Sequence, residues 1–129
     1  MDQKTLHGSN FEPTVVFTTA SSVAEAELLA RALVEENLAA CCTILPSARS
    51  VYRWEGVLHA DDELLLVIKS SVELFPDMER RIRTLHSYQI PEILQMPVTA
   101  ASERYLEWMQ SNLVPSLSPP EIPRPNDAT

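Results

Sequence analysis

Glu63-Leu64-Leu65-Leu66-Val67-Ile68-Lys69 is the stretch that decides the fold of this chain. The five consecutive apolar residues Leu64 to Ile68 indicate a strand covered on both faces, because a strand with one wet side alternates apolar and polar residues. A single layer of helices covers only one of those faces. The other face must meet something else, and association of subunits is the economical answer.

Working outward, Leu58 to Lys69 reads as the long return arm of a hairpin. Its partner is Ser50 to Glu55, and Gly56 permits the bend or a bulge between them. Ala39 to Leu45 begins that partner strand, with Pro46 interrupting it. Further upstream, Thr14 to Thr19 is β-branched and aromatic and so reads as a strand. Ser22 with Glu25 three residues later is a capping box for a helix running to about Asn37, whose Ala26, Leu29, Ala30, Leu33 and Val34 follow helical spacing. Downstream, Phe75, Met78, Ile82 and Leu85 predict a second helix ending near His86, with Pro76 tolerated in its first turn. Glu92 to Ala100 reads as the last strand, and Ser102 caps a final helix carrying Tyr105, Leu106, Met109 and Leu113 on one side.

The order is β, α, β, β, α, β, then α. That order predicts an α+β, ferredoxin-like βαββαβ sandwich with a long hairpin between its second and third strands and an extra C-terminal helix. The domain is expected over residues 13–114. Residues 1–12 lack periodicity and read as a flexible N-terminal arm, and residues 115–129, with five of the ten prolines, read as a disordered tail.

Composition excludes several functions. The 129 residues suit one domain, and a net charge of −8 opposes binding to a phosphate backbone, so no nucleic-acid partner is expected. The only glycines, Gly8 and Gly56, cannot form a Gly-rich phosphate loop. No apolar run is long enough to cross a bilayer and the start lacks a secretion signal, which predicts a cytoplasmic protein with no membrane partner. Cys41 and Cys42 are adjacent, fit neither a zinc-finger spacing nor a disulfide framework, and are expected as reduced thiols on opposite faces of a strand. Cys41 has no histidine in a recognisable relation to it, so nucleophilic catalysis is not expected.

His86 is the first candidate for chemistry, since a neutral imidazole is a common ligand for copper and zinc. Its alternative reading is an imidazolium resting on the negative end of a helix dipole. His59, Asp61 and Glu63 alternate and so share one strand face, which assembles metal-binding residue types but equally solubilises a hairpin arm. Tyr52 and Trp54 also share a face and read as core or subunit packing. Lys69 is expected to pair with Glu92 or to bind an anion.

Taken together, His86-Ser87-Tyr88-Gln89-Ile90-Pro91-Glu92-Ile93, Tyr52-Arg53-Trp54-Glu55-Gly56 followed by Glu63 and Lys69, Tyr105-Leu106-Glu107-Trp108, and Leu38-Ala39-Ala40-Cys41 resemble the divalent-cation-tolerance (CutA) family. The resemblance spans about Thr14 to Leu113, and Ser87 stands where the family pattern usually has proline. It implies a compact homotrimer and a role in the response to metal ions, with no enzymatic activity. It also implies a weak site for Cu(II) or another divalent cation on His86 and Glu63, with no metal required for folding. In relatives with a proposed copper site a cysteine stands where this chain has Thr18, and a hydroxyl there removes the soft ligand that favours Cu(I). The competing account is a regulatory or scaffold trimer resembling the PII signalling proteins, binding a small ligand or an unidentified protein partner in clefts between subunits. An acylphosphatase-type enzyme on the same topology is excluded, because Thr19-Ala20-Ser21-Ser22 offers neither arginine nor a phosphate-cradling turn.

Overall fold

The computed structural model describes residues 11–113. The elements run β1 (Pro13–Ala20), α1 (Val23–Glu35), β2 (Cys41–Trp54), β3 (Val57–Ser71), a 3₁₀ turn (Val72–Leu74), α2 (Phe75–Leu85), β4 (Leu94–Pro97) and α3 (Glu103–Ser111). All pairings are antiparallel and the sheet order is β2-β3-β1-β4. This is the expected ferredoxin-like arrangement.

Turn chemistry sets the long hairpin. Trp54 pairs with Val57, and the two residues between them, Glu55 and Gly56, both have positive φ (51° and 82°). That is the backbone twist a two-residue hairpin needs. Pro46 does not interrupt β2 as expected. The strand continues through it with a register shift between Leu45 and Ala48, where Ser47 takes φ 66°. A proline is tolerated there because β2 lies at the sheet edge and the bulge removes the demand for its missing N–H.

Parity along the strands divides the residues between two faces. Val16, Thr18 and Ala20 on β1 and Leu64, Leu66, Ile68 and Ser70 on β3 are buried on the face covered by α1 and α2, which contribute Ala26, Leu29, Leu33, Met78 and Ile82 to the same core. The other face holds Val15, Phe17, Leu65 and Val67, each only half-buried, beside the exposed Leu45, Leu94 and Met96. The two-faced run is thus covered on one face by the helices of its own chain. α3 packs Leu106 and Met109 on Ala40 in a second, smaller cluster.

Helix ends follow local rules. Asn37, at φ 60°, ends α1: its N–H donates to the Val34 carbonyl (3.0 Å) and that of Leu38 to Leu33 (2.9 Å), the two bonds of a Schellman ending. Ser22 and Ser102 cap α1 and α3 as expected, each accepting from the backbone N–H three residues on. β4 is shorter than the expected Glu92 to Ala100. Its ladder with β1 stops at Pro97, which has no N–H to give, and the Thr14 hydroxyl donates to the Met96 carbonyl (2.9 Å) at that end.

The expected arm 1–12 lies outside the described residues except for Phe11 and Glu12. Phe11 packs on the α3 cluster, and the Glu12 carbonyl accepts from Val72 N–H (2.9 Å). The expected tail 115–129 lies outside them entirely.

Thr18 points into the helix-covered core, and its hydroxyl is buried without a partner among the described residues. An unmatched buried hydroxyl costs about 1–3 kcal/mol. Thr18→Val keeps the shape and removes that cost, so the urea midpoint should rise at unchanged slope, to an extent that corresponds to about 1 kcal/mol of added stability.

Candidate functional site

The segment after α2 builds one side of a cleft on the open sheet face. β1, β2 and β3 build the other. Thr19, Ser50, Tyr52, Trp54, Glu63, Tyr88, Gln89, Ile90 and Glu92 line it, enclosing about 420 Å³. At its head is Glu63, only 7% exposed. Ser50 donates to Oε1 (2.6 Å) and the Tyr88 hydroxyl to Oε2 (2.6 Å). Ser50 reaches Glu63 because it pairs with Asp61, which makes Glu63 its diagonal neighbour on the same face. Burial and then the bond to Glu63 push the Tyr88 phenol above its ordinary range, so it remains a proton donor at neutral pH.

His86 is the residue in which α2 ends, with extended backbone (ψ 145°). Its side chain is fully covered. Nδ1 lies 3.0 Å from the Tyr88 backbone N–H, which can only donate, and Nε2 lies 2.6 Å from the Thr19 carbonyl, which can only accept. These partners select the Nε2–H tautomer and engage the ring's one lone pair. The imidazolium on a helix dipole is therefore not what the geometry selects. Instead the ring joins β1 to the turn after α2, and the Tyr88 ring lies against it (centroids 4.7 Å apart).

Glu25 completes this brace. Its Oε1 accepts from both the N–H and the hydroxyl of Ser21 (3.0 Å each), and its Oε2 from Ser87 N–H (2.7 Å), 3.4 Å from His86 Nδ1. The capping carboxylate thus reaches one residue further out than a capping box requires and clips the start of α1 to the end of α2. Burial raises its pKa, but the bonds from Ser21 and Ser87 outweigh that and hold the carboxyl at about 2 against an ordinary 4.5.

The residues singled out from the sequence are only partly brought together. Tyr88 stands between His86 and Glu63, touching each. Thr18 is on the opposite sheet face from Glu63, one facing the helices and the other the cleft. His59, Asp61 and Glu63 do share a face, but Tyr52 stacks on His59 (5.3 Å, 14°) and donates its hydroxyl to Asp61, which pushes its own phenol upward. Among the described residues no three His, Cys, Asp or Glu side chains are placed to hold a metal ion. With both His86 nitrogens engaged and Thr18 turned away, the described residues do not fit a copper centre within one chain.

Lys69 does not reach Glu92. It opposes Cys41 in the register and donates to Thr43 Oγ1 (2.8 Å) and Cys41 Sγ (3.6 Å) on the same face. Cys41 and Cys42 are both free, and burial pushes the Cys42 thiol up to about 12. Ser50 and Glu25 carry site geometry that sequence reading missed. The hairpin register around Glu55-Gly56 was the signal for Ser50, whereas nothing local connects Glu25 to Ser87.

Comparison with known proteins follows the same outline. Residues 14–112 match the family described as CutA1 divalent ion tolerance protein. The divalent-cation tolerance protein CutA of Thermus thermophilus is 43% identical over 98 residues, covering 76% of this chain and 95% of that protein. Among solved structures, the Thermus thermophilus divalent cation tolerance protein superposes with a TM-score of 0.77 at 41% identity, over 79% of this chain and 99% of that one. CutA from Xylella fastidiosa superposes with a TM-score of 0.78 at 34% identity, over 80% and 99%.

The Glu25 brace makes stability pH-dependent. Its folded pKa lies below the ordinary value, so its contribution is complete above about pH 4.5 and disappears as pH falls toward about 2. Glu25→Gln should cost about 1–2 kcal/mol at neutral pH. In urea titrations across pH, the variant should lose less stability than the parent over that acid window.

Proposed function

The chain belongs to the CutA1 divalent ion tolerance family, and on that footing we propose that it serves divalent-cation tolerance as a cytoplasmic homotrimer whose Glu63 clefts receive a small ligand. The observation that carries this reading is Glu63 itself, a carboxylate nine-tenths buried and held by two hydroxyls at the head of a cleft open to solvent. Sites of this kind are concave, walled by aromatic and apolar groups, and oriented by a few fixed polar atoms.

Assembly is supported by the apolar surface around the cleft. Leu45, Leu94 and Met96 on the open face and Val51, Val57 and Leu58 on the hairpin arm are exposed in the single chain, the last three by more than half. Apolar surface of this extent beside two sheet edges suits further copies of the chain. The clefts then lie next to the contacts between subunits, as in the PII-like account.

Divalent cations enter as weak ligands. Glu63 and Glu92 offer oxygen donors on the cleft wall. Ligation by His86 requires the ring to release either Thr19 or Tyr88, so His86 acts as a positioning residue.

Light scattering over a concentration series should give three times the chain mass, unchanged in high salt because apolar burial drives association. A monomer mass would defeat the assembly argument. Calorimetric Cu(II) titration should give the same weak heats for the parent and His86→Asn. A saturable site lost in His86→Asn would restore the imidazole as a metal ligand.

A further inference from the structure

Resting on the reading of the Glu63 cleft as a ligand site, we infer that its ligand is a small organic cation bearing a guanidinium group. The charge balance points there first. Glu63 is 7% exposed, yet its two partners, Ser50 and Tyr88, are neutral hydroxyls, and no Lys, Arg or His pairs with it among the described residues. Among the described residues of one chain, a carboxylate so placed is without the counter-charge that buried charges otherwise keep. The cleft wall adds a second carboxylate, Glu92, and among the described residues contains no basic residue. Anionic ligands are disfavoured on that ground alone.

The geometry of Glu63 narrows the cation. Each oxygen accepts one hydroxyl donor, and a carboxylate oxygen has two lone-pair sites, so one acceptor position remains on Oε1 and one on Oε2. A guanidinium fork carries two N–H groups at the spacing of the two carboxylate oxygens, so it can place one donor on each. A primary ammonium is a point charge and fills only one of them well. A divalent metal would need further donors, and no group of three metal-binding side chains is available among the described residues.

The walls suit the same group. Tyr52 and Trp54 come from one face of β2, line the cleft and are exposed by 39% and 38%. Aromatic faces attract a guanidinium through the ring quadrupole and by stacking with its plane. At about 420 Å³ the cleft holds such a group with a short alkyl chain.

Tryptophan emission tests this on the intact protein. The chain has two tryptophans, and Trp108 does not line the cleft, so Trp108→Phe leaves Trp54 as the reporter. Titration with butylguanidinium should change Trp54 emission saturably, butylammonium should act more weakly and sodium butyrate should have no effect. Adding Glu63→Gln should weaken butylguanidinium about tenfold or more. If that variant does not fold, Glu92→Gln, at an exposed residue of the cleft lining, should weaken it about threefold.

Unchanged affinity in the folded carboxylate variant would overturn the inference. A butyrate response equal to that of butylguanidinium would overturn the cation assignment while leaving the cleft as a ligand site. Absence of any response from Trp54 would remove both.

Discussion

β3 carries the whole architecture, because it is hydrogen-bonded along both edges and carries an unbroken apolar run that serves both faces. Its pairing with β1 brings Leu66 and Ile68 beneath α1 and α2, where the main core forms. Its pairing with β2 projects the hairpin arm past those helices. What one face gains in burial, the other leaves open: Leu65 and Val67 have the same hydrophobicity as their neighbours but no helix over them. The function proposed for the chain follows from that imbalance, since the cleft and the uncovered apolar strip are parts of one surface.

The site depends on a second constraint, the fixing of the turn after α2. Three polar contacts converge there: His86 on the Thr19 carbonyl, Tyr88 N–H on His86, and Ser87 N–H on Glu25. His86, Ser87 and Glu25 are not among the residues lining the cleft. Their effect is to present the Tyr88 hydroxyl to Glu63 at hydrogen-bonding distance, so the cleft's charged head is positioned by residues behind it.

Much of the fold was legible in the sequence because its signals are local. Capping serines, helical spacing in Ala26 to Val34 and Phe75 to Leu85, and the two-faced run Leu64 to Ile68 each act within a few residues. The misreadings arose where context overrode the local rule. Pro46 looked like a strand end, but on an edge strand a bulge absorbs it. Glu92 to Ala100 looked like a strand, but only four residues of it form a ladder beside β1. At the site, Glu63 and His86 were recognisable by residue type, and their relation was not. A histidine reads as a ligand until its two nitrogens are seen to be occupied. The link between Glu25 and Ser87 spans 62 residues and leaves no periodic trace.

The Glu55-Gly56 turn also has a consequence for the order in which the chain organises. Closing Trp54 on Val57 encloses only two residues, the smallest entropic penalty of any rung in this sheet. Every later rung of that arm lengthens a loop already closed, so the ladder zips outward from its tip. β1 finds β3 only by closing a loop that contains α1 and the whole arm, and β4 finds β1 only after α2 is included. The slow part of acquiring this topology is therefore the docking of its outer strands onto a template that local chemistry has already assembled.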